Sequence, residues 1–534
     1  MVKKQILALV FLAFSCACTK KSGAPKNIFR YPIESDPPTL DWSLVHDHVS
    51  FEVLHSLQDG LTQHDGNLNV VPALASRWEI SQDGKTYTFY LRDDAKWSDG
   101  VPVKAEHFVT GWRRLLDPKH AAEYAYFLFD VENAQEYNSG QVTDPSLIGI
   151  KALDEKRVQI RLKYPAGYFL HIPTFAITAP QRDDVIQAHP KDFTEPQHLR
   201  TTGPYRLIEW KHDSKLTFEP NPYYYGKKPA IEKIEFLVVK EDSTALNLYE
   251  RGELEVAMRI PALDLDRVKR WADYRSSPVL RGYYYGFNTN LKPFDNVLVR
   301  KAFAHAIDRK ELVALLKGGQ LPAKAWVPRG MFGYDNNVGI DYNPSLAKSF
   351  LAKAGFPNGK NFPRVTLMYD STELNKLVAE RLQFAWKNVL NIPDIELTTQ
   401  EWKVYLDTLS HNTPALWRMG WGADYPDPHN FLDLFTSKSG NNHTHWRNPR
   451  YDSLILAGAK NMNPTERIEI YKKAQQILLE EDAAIIPLFQ QSVDMVVKPY
   501  VQNFVVDPLE NPKIKEAQVV PPSDKKRHAK LQTP

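Results

Sequence analysis

The chain has 534 residues, which is more than one hydrophobic core usually serves, so its length predicts two or more lobes. Its shares of hydrophobic residues (43%) and charged residues (25%) are typical of globular proteins and argue against a disordered chain. A net charge of +3 over this length argues against a nucleic-acid partner.

The first residues predict an export signal. Lys3 and Lys4 precede an apolar run from Ile6 to Phe14, which is too short to span a bilayer and is followed by small residues. We therefore expect residues 1–18 to be a signal peptide. The body of the protein is then expected outside the cytoplasm, in the periplasm or cell envelope.

Both cysteines lie at the end of this signal, in the segment AFSCACTKK. A small residue precedes each of them, as suits a lipidated cysteine, so we expect a lipid anchor to the membrane on Cys18 or Cys16. The alternative is cleavage nearby without a lipid. Since no cysteine follows Cys18, the body has no disulfide, no catalytic thiol and no cysteine metal site.

Strand and helix patterns alternate through the body. The segment WEISQDGKTYTFYL alternates apolar and polar residues around Asp83 and Gly84, which predicts a β-hairpin. Helical spacing follows from Phe108, with Arg113 and Arg114 on the solvent side, and NVLVRKAFAHAIDRKELVALLKGG predicts one later helix. Further segments of both kinds predict an α/β fold, and the polar tail PPSDKKRHAKLQTP is expected to be loosely ordered.

Motifs for catalysis and for metal binding are missing from the sequence. There is no G-x-S-x-G nucleophile elbow and no H-E-x-x-H zinc motif, so we expect neither an enzyme nor a cofactor. Two H-x-H pairs, His46 with His48 and His443 with His445, could offer imidazole ligands. Neither pair has a third ligand at close spacing, so no metal site is predicted.

Several motifs in a fixed order resemble the oligopeptide-binding proteins of ABC importers, in solute-binding protein family 5, the peptide and nickel class. The resemblance runs from about Ile28 to about Val520 without large gaps. The motifs that carry it are DPPTLDW, AKWSDGVPVKAEHF, TTGPYRLIEW, NPYYYG, RGELE, PFDNVLVRKAFAHAIDR and GWGADYPDP.

The resemblance implies the two-lobed periplasmic-binding-protein fold, with a hinge of two chain crossings and an additional third domain. Lobe I would take residues 24–58, 184–280 and 491–534. The additional domain II would take residues 59–183, and lobe II, or domain III, residues 281–490. The ligand would be enclosed between the lobes, and hinge closure would present it to the membrane permease.

The resemblance also implies the central binding residue. The acid of the ADY triplet pairs with the free α-ammonium of a bound peptide in the resembling proteins, which gives Asp424 that role here. A buried ammonium needs a counter-charge, because an unpaired charge in a closed cleft costs several kcal/mol. Asp427 precedes a helical segment and is interpreted as its N-cap.

The rest of the affinity is expected to come from main-chain pairing and from aromatic side chains. A peptide can add as a strand between two segments, expected at His46 to His48 and at Gly420 to Gly422, where small residues let chains approach. The aromatic positions that line the pockets of relatives correspond to Tyr124, Trp402, Trp421 and Tyr284.

Some positions depart from the family pattern. Basic residues that take peptide C-termini in the resembling proteins correspond here to Leu409 and Asn375, while Arg418 is kept. Arg259 stands where a neutral cleft residue is expected. We therefore expect carboxylate recognition to be rearranged, with Arg418 and Arg259 among the ligand-binding residues.

Together these features predict a monomeric, exported binding protein that captures short peptides and docks on the permease subunits of an ABC transporter. The nearest alternative is the same fold binding a murein tripeptide or a metal chelate. A peptidase or esterase is the alternative of another class, and the missing catalytic motifs argue against it.

Overall fold

The structure, a computed structural model, describes residues 27–520. They form a mixture of strands and helices, as the α/β prediction requires. The predicted signal peptide with Cys16 and Cys18, and the polar segment 521–534, lie outside the described residues. Among the described helices, none combines the length and the apolar character that a bilayer crossing needs.

The strands of the described part are short except for two that run across the molecule. In chain order they are β1 (Ile28–Ile33), β2 (Thr62–His64), β3 (Val70–Pro72), β4 (Ala75–Ile80), β5 (Thr86–Leu91), β6 (Ile150–Ala152), β7 (Arg157–Arg161), β8 (Tyr205–Lys211), β9 (Lys215–Pro220), β10 (Lys233–Val238), β11 (Val256–Met258), β12 (Tyr274–Phe287), β13 (Leu321–Pro322), β14 (Val365–Asp370), β15 (Ile395–Gln400), β16 (Leu416–Gly422), β17 (Ile485–Val497), β18 (Val501–Gln502) and β19 (Gln518–Val519).

The helices pack on these strands and are concentrated in the second half of the chain. They are α1 (His48–Leu57), α2 (Ala105–Leu116), α3 (Ala134–Asn138), α4 (Asp183–Ala188), α5 (Asp242–Glu250), α6 (Leu265–Val268), α7 (Val297–His305), α8 (Arg309–Leu316), α9 (Pro344–Lys353), α10 (Glu373–Leu390), α11 (Trp402–His411), α12 (Pro428–Leu432), α13 (Pro449–Lys460) and α14 (Pro464–Gln476).

Three larger sheets organise the described residues. The first has the order β1-β10-β9-β8, with β1 parallel to β10, and the second is the antiparallel sheet β4-β5-β7-β6. The third has the order β11-β17-β12-β16-β14-β15, and β13 pairs with β17 beside it. The predicted hairpin is confirmed, since β4 pairs with β5 around a turn in which Gly84 has a φ of 69°.

Each sheet contributes to its own hydrophobic core. Phe29 and Phe236 belong to the core of the first sheet, and Phe89 and Trp112 to that of the second. The third sheet packs between two cores. One contains Phe303, and the other contains Trp326 and Trp417. Separate cores are what a multi-lobed chain of this length needs. The domain boundaries given by the resemblance stay a prediction.

Strands β12 and β17 join the first core to the cores of the third sheet. At one end of β17, Met495 and Val497 pack in the core of the first sheet, and at the other end Phe489 packs in a core of the third. The register between the two strands is interrupted between Pro278 and Gly282. Two crossing strands with an irregular ladder form the connection expected of a hinge.

Two local predictions are corrected by the structure. The helix predicted from NVLVRKAFAHAIDRKELVALLKGG is two helices, because Asp308 accepts hydrogen bonds from the backbone N–H groups of Lys310 and Glu311 and caps a new helix. Arg114 does not face solvent, because its guanidinium forms a bidentate ion pair with Asp41. A side chain that bridges two elements in this way cannot be recognised from helical spacing.

Candidate functional site

A cavity of about 640 Å³ lies between segments from distant parts of the chain. One wall is formed by β16 and the turn after it, and another by α1 with the residues before it. The segment 509–515, β2 and single residues from elsewhere, such as Tyr124 and Trp402, also line the cavity. Nine of the predicted ligand-binding residues line this cavity: His46, His48, Tyr124, Trp402, Arg418, Gly420, Trp421, Gly422 and Asp424.

Asp424 lies just beyond the end of β16 and is held by Asn430 of α12. The Asn430 amide donates to Asp424 Oδ2 at 3.0 Å, and its carbonyl oxygen accepts from the Asp424 backbone N–H at 3.0 Å. The same oxygen accepts from Trp421 Nε1 at 3.0 Å. One amide therefore fixes both the carboxylate and the neighbouring indole. This contact was not found from the sequence, because Asn430 has no motif of its own.

The helix that carries Asn430 is anchored in turn. Asp427 caps α12 through the backbone N–H of His429, which confirms its predicted role. Its carboxylate also pairs with the buried guanidinium of Arg467 at 2.7 Å. Asn430 thus stands on a helix whose start is fixed by a buried ion pair.

The carboxylate of Asp424 has no cationic partner within the described residues. No Lys, Arg or His of residues 27–520 comes within ion-pair distance of it, although its surroundings are strongly desolvated. Burial raises the pKa of Asp424 to about 6, and the hydrogen bond from Asn430 lowers it only in part. Such a group favours a cation that enters the cavity.

The edge of β16 that faces the cavity is open. Strand β14 pairs with β16 only at Leu416 and Trp417, while β12 continues along the other edge as far as Gly422. The backbone N–H of Ala423 donates to Leu280, so by strand alternation Gly420 and Gly422 direct their main-chain groups away from β12. This edge can accept an added strand.

Arg418 lines the cavity, but its charge is already balanced. Its Nη1 is 2.9 Å from Asp370 Oδ1, and the guanidinium lies over the ring of Tyr283 at 4.4 Å. Its backbone carbonyl accepts from the Tyr405 hydroxyl at 2.5 Å. The side chain is therefore preorganised, and a ligand carboxylate would have to share it with Asp370.

Tyr284 and Arg259, both predicted to bind ligand, lie away from this cavity. Tyr284 is buried in a core, edge-on to Trp326 and Trp417, because the third sheet packs between two cores and both faces of β12 are covered here. Arg259 forms ion pairs with Glu34 and Asp242.

Leu409 and Asn375, which stand at the positions of the family's basic residues, are also buried. The Asn375 carbonyl oxygen accepts from the Tyr283 hydroxyl at 2.8 Å, and its amide donates to the Asp370 carbonyl at 3.1 Å. Neither residue lines the cavity, so these positions offer it no charge.

The opposite wall differs from the expected extended segment at His46 to His48. Asp47 is extended and caps α1, and His48 is the first residue of that helix. Of these three residues, Asp47 is the one with an extended main chain, at a φ of −116° and a ψ of 153°. A helix start there follows from Asp47, whose carboxylate accepts from the Ser50 N–H at 2.9 Å.

Polar residues that the sequence did not single out also line this wall. His55 and His64 face the cavity, and burial lowers the pKa of His55 to about 4 and that of His64 to about 3. Lys515 donates to Gln63 at 2.7 Å, and Lys513 pairs with Asp507 at 2.9 Å. No motif marks these residues, since the fold brings them together from opposite ends of the chain.

Within residues 27–520, a ligand-sized cavity lies beside β12 and β17 and contains the Asp424 carboxylate, as a two-lobed binding protein requires. The family described as "Bacterial extracellular solute-binding proteins, family 5 Middle" matches residues 69–443. The chain belongs to this family of extracytoplasmic binding proteins. The prediction of a binding protein rather than an enzyme is thereby confirmed.

Individual relatives match over almost the whole chain. The oligopeptide-binding protein OppA of Bacillus subtilis (strain 168) is 34% identical over 477 residues, covering 86% of this chain and 87% of the relative. The murein tripeptide-binding protein MppA, solved in an unliganded open form, has a TM-score of 0.82 at 29% identity, covering 93% of this chain and 98% of that one. Haemophilus influenzae OppA in complex with RPPGFSPFR has a TM-score of 0.73 at 28% identity, covering 93% and 99%. The predicted periplasmic-binding-protein fold is confirmed.

Proposed function

We propose that this protein captures short oligopeptides that have a free N-terminus and delivers them to the permease of an ABC transporter. The observation that carries the proposal is the desolvated carboxylate of Asp424, which has no cation within residues 27–520 and stands at the end of an open strand edge. OppA of B. subtilis, 34% identical, is an oligopeptide-binding protein and supports the same ligand class.

The carboxylate selects for the peptide N-terminus. A peptide ammonium beside Asp424 replaces the lost hydration of the carboxylate by a charge-assisted hydrogen bond, which is strongest in a site closed to water. An N-acetylated peptide has no such charge and would leave the carboxylate uncompensated. Asn430 holds Asp424 Oδ2 in place, so little ordering remains when the ligand arrives.

The open edge of β16 binds the peptide main chain. With its ammonium at Asp424, an extended peptide lies beside Gly422 and Gly420 and pairs with their outward N–H and C=O groups. Main-chain pairing is independent of side chains, which suits a protein that accepts many sequences. The rings of Trp421, Trp402 and Tyr124 then offer apolar surface to the peptide side chains.

The ligand enters an open form of the molecule, which then closes. The higher TM-score with the unliganded open form of MppA (0.82) than with the OppA complex (0.73), at almost the same identity, supports an open arrangement here. The crossing strands β12 and β17 are the connection about which the lobes turn. The closed, liganded form is the one that the permease recognises.

The protein acts as a monomer outside the cytoplasm, tethered to the membrane by a lipid on Cys18 or Cys16. A lipid tether keeps the binding protein in the membrane plane near the permease. One acyl chain binds a membrane only weakly, so stable attachment requires at least two.

The second candidate ligand is a murein tripeptide or a metal chelate, and two observations favour it. The solved MppA binds a murein tripeptide, and a murein tripeptide also has a free ammonium for Asp424. Four histidines, His46, His48, His55 and His64, line the cavity and could ligate the metal of a chelate.

Calorimetric titration separates these ligands. Unmodified tripeptides, a murein tripeptide and chelated nickel are titrated into the protein after unfolding and refolding to remove co-purified ligand. The proposal predicts the tightest binding for peptides of ordinary sequence. Tight binding of only the murein tripeptide or the nickel chelate would replace it by the second class.

A further inference from the structure

Outside the cavity, one cluster of side chains on the described residues is composed like a metal site. His189, Asp192 and His198 each offer one ligand atom, and these atoms all lie within 4.8 Å of one another. The cluster stands on the turn-rich segment between α4 and β8. We propose that His189, Asp192 and His198 form a binding site for a divalent transition metal ion such as Zn²⁺, independent of the peptide cavity.

The distances suit a shared ion. His198 Nε2 lies 3.4 Å from Asp192 Oδ2, and His189 Nδ1 lies 3.9 Å from Asp192 Oδ1. Donors at about 2.1 Å from one tetrahedral zinc ion are about 3.4 Å apart. The first distance meets this value and the second exceeds it by 0.5 Å; because the two distances run to different oxygens of Asp192, binding one ion requires a small shift of the side chains.

The two imidazole rings lie against each other, and both approach the Asp192 carboxylate. They stack with centroids 3.4 Å apart and planes inclined by 19°, and neither ring forms a hydrogen bond with another residue of the described part. For both lone pairs to meet at one ion, one ring must turn about its Cβ–Cγ bond. The His189 side chain is 36% exposed and has room to do so.

The backbone that carries the three ligand residues is anchored by neighbouring side chains in the hydrophobic core. Phe193 and Leu199 are buried in the core of the first sheet, so the segment is anchored next to two of the ligands. Backbone hydrogen bonds from Asp192 to the His189 carbonyl and from His198 to the Glu195 carbonyl close successive turns. Little conformational entropy is then lost when the metal binds.

The donor set indicates which ions fit. Two imidazole nitrogens and one carboxylate oxygen favour Zn²⁺, Ni²⁺ or Cu²⁺, whereas Ca²⁺ and Mg²⁺ prefer sites made of oxygen atoms. Three protein ligands leave one position of a tetrahedral zinc ion for water.

The test uses the full chain without a histidine tag, stripped with chelator and dialysed against Zn²⁺, with bound zinc measured by mass spectrometry. We expect close to one equivalent of zinc, and a loss of affinity of at least about 10-fold in His198→Ala and in Asp192→Asn. His411→Ala, which removes an exposed histidine on α11, is the matched control and should bind as the unchanged protein does.

Circular dichroism confirms that each variant is folded, which is expected because the three ligands lie at the surface of the first core. Less than a fifth of an equivalent of zinc on the unchanged protein would overturn the proposal. So would binding that persists in His198→Ala but disappears in His46→Ala or His48→Ala, since the metal would then occupy the peptide cavity.

Discussion

At the scale of single residues, the central feature is the carboxylate of Asp424, which is fixed in position and has no counter-charge within the described residues. Asp424 is fixed by Asn430 and lines the cavity together with Trp421 and Tyr124, neither of which supplies a positive charge. Burial raises the pKa of Asp424. In the function that we propose, the ammonium group of the peptide provides the missing positive charge.

The raised pKa predicts how peptide affinity depends on pH. In the empty protein Asp424 has a pKa of about 6, and a peptide ammonium binds only to its ionised form. Affinity should be constant between about pH 6.5 and 7.5 and should fall by up to about tenfold per pH unit below pH 6, where protons compete with the peptide. Titration calorimetry from pH 4.5 to pH 8 measures the profile.

The control for this profile is Asp424→Asn, because His55, whose pKa burial lowers to about 4, also begins to gain a proton at the acid end of this range. The variant should bind the peptide more weakly. Its affinity should also fall less at acid pH, because it has no Asp424 carboxylate to protonate. An identical acid decrease in the variant and in the unchanged protein would mean that a histidine, and not Asp424, causes it.

The positions of site residues were predictable from the sequence where a short motif carries them, and their roles stay predictions. The motif GWGADYPDP predicted Asp424 and the cap at Asp427, and nine of the predicted residues line one cavity. Lys515 and its hydrogen-bond partner Gln63 are separated by 452 residues, so local patterns could not place them together. Tyr284 shows the converse, since its aromatic character fits a cavity wall and a buried core equally well.

At the scale of elements, β16 combines a paired edge with an open one. Its edge toward β12 is paired over its whole length, while on the other edge β14 ends at Trp417, the Tyr405 hydroxyl bonds the main chain of Arg418, and Gly420 and Gly422 are left unpaired by strands. Glycines at positions 420 and 422 let another backbone approach closely. The wall across the cavity begins a helix at His48, so we expect β16 to provide most of the main-chain pairing.

This arrangement predicts an alternating response to N-methylation of the peptide backbone. Amides of an extended peptide point to opposite sides in turn, and only one set faces β16. Methylation of a facing amide should weaken binding by about fivefold or more, since one hydrogen bond of ~1 kcal/mol is lost, and methylation of the next amide should cost less.

The alternation is measured with a series of tetrapeptides, each methylated at one amide, against the unmodified peptide. Equal losses at successive amides would contradict pairing to one strand. Negligible losses at every amide would show that the peptide main chain does not pair with the protein.

Elements with strong local signals were predicted well and those shaped by long-range contacts were not. The hairpin at Asp83 and Gly84 follows from turn chemistry alone. The helix predicted across Asp308 is interrupted because that side chain satisfies backbone donors of a new helix, which apolar spacing does not reveal. His48 was expected in an extended segment, but Asp47 starts a helix there.

At the scale of the whole molecule, two strands connect the cores across the cavity. The register of β12 and β17 is interrupted between Pro278 and Gly282, which is where a ladder can bend at low cost. A ligand that contacts both walls binds the closed form more tightly than the open form. We expect this difference in affinity to shift the equilibrium towards the closed form.

Small-angle X-ray scattering should detect this closure. Adding a saturating tripeptide should lower the radius of gyration, because the peptide bridges Asp424 beyond β16 to the wall formed by α1. The N-acetylated tripeptide at the same concentration is the control and should leave the radius of gyration unchanged. An unchanged value with a bound, unmodified peptide would contradict closure about β12 and β17.

The fold of the whole molecule was predicted from the order of several motifs, which no single element could supply. The arrangement of the cavity was harder to predict, because its lining comes from residues 46–64, 402–424 and 509–515 and from separate positions such as Tyr124, Phe175 and Arg281. Leu409 and Asn375, at the positions of the family's basic residues, led us to expect a rearranged carboxylate recognition, and only the structure shows that both are buried outside the cavity lining.

The measurement that tests the account most directly is a thermodynamic cycle of two proteins and two peptides. The unchanged protein and Asp424→Asn are each titrated at pH 7.5 with a tripeptide and with its N-acetylated form. We predict that the substitution weakens binding of the free tripeptide by ~2 kcal/mol or more, about 30-fold, and changes binding of the acetylated form much less. Equal binding of the free tripeptide to both proteins, within twofold, would contradict the role of Asp424.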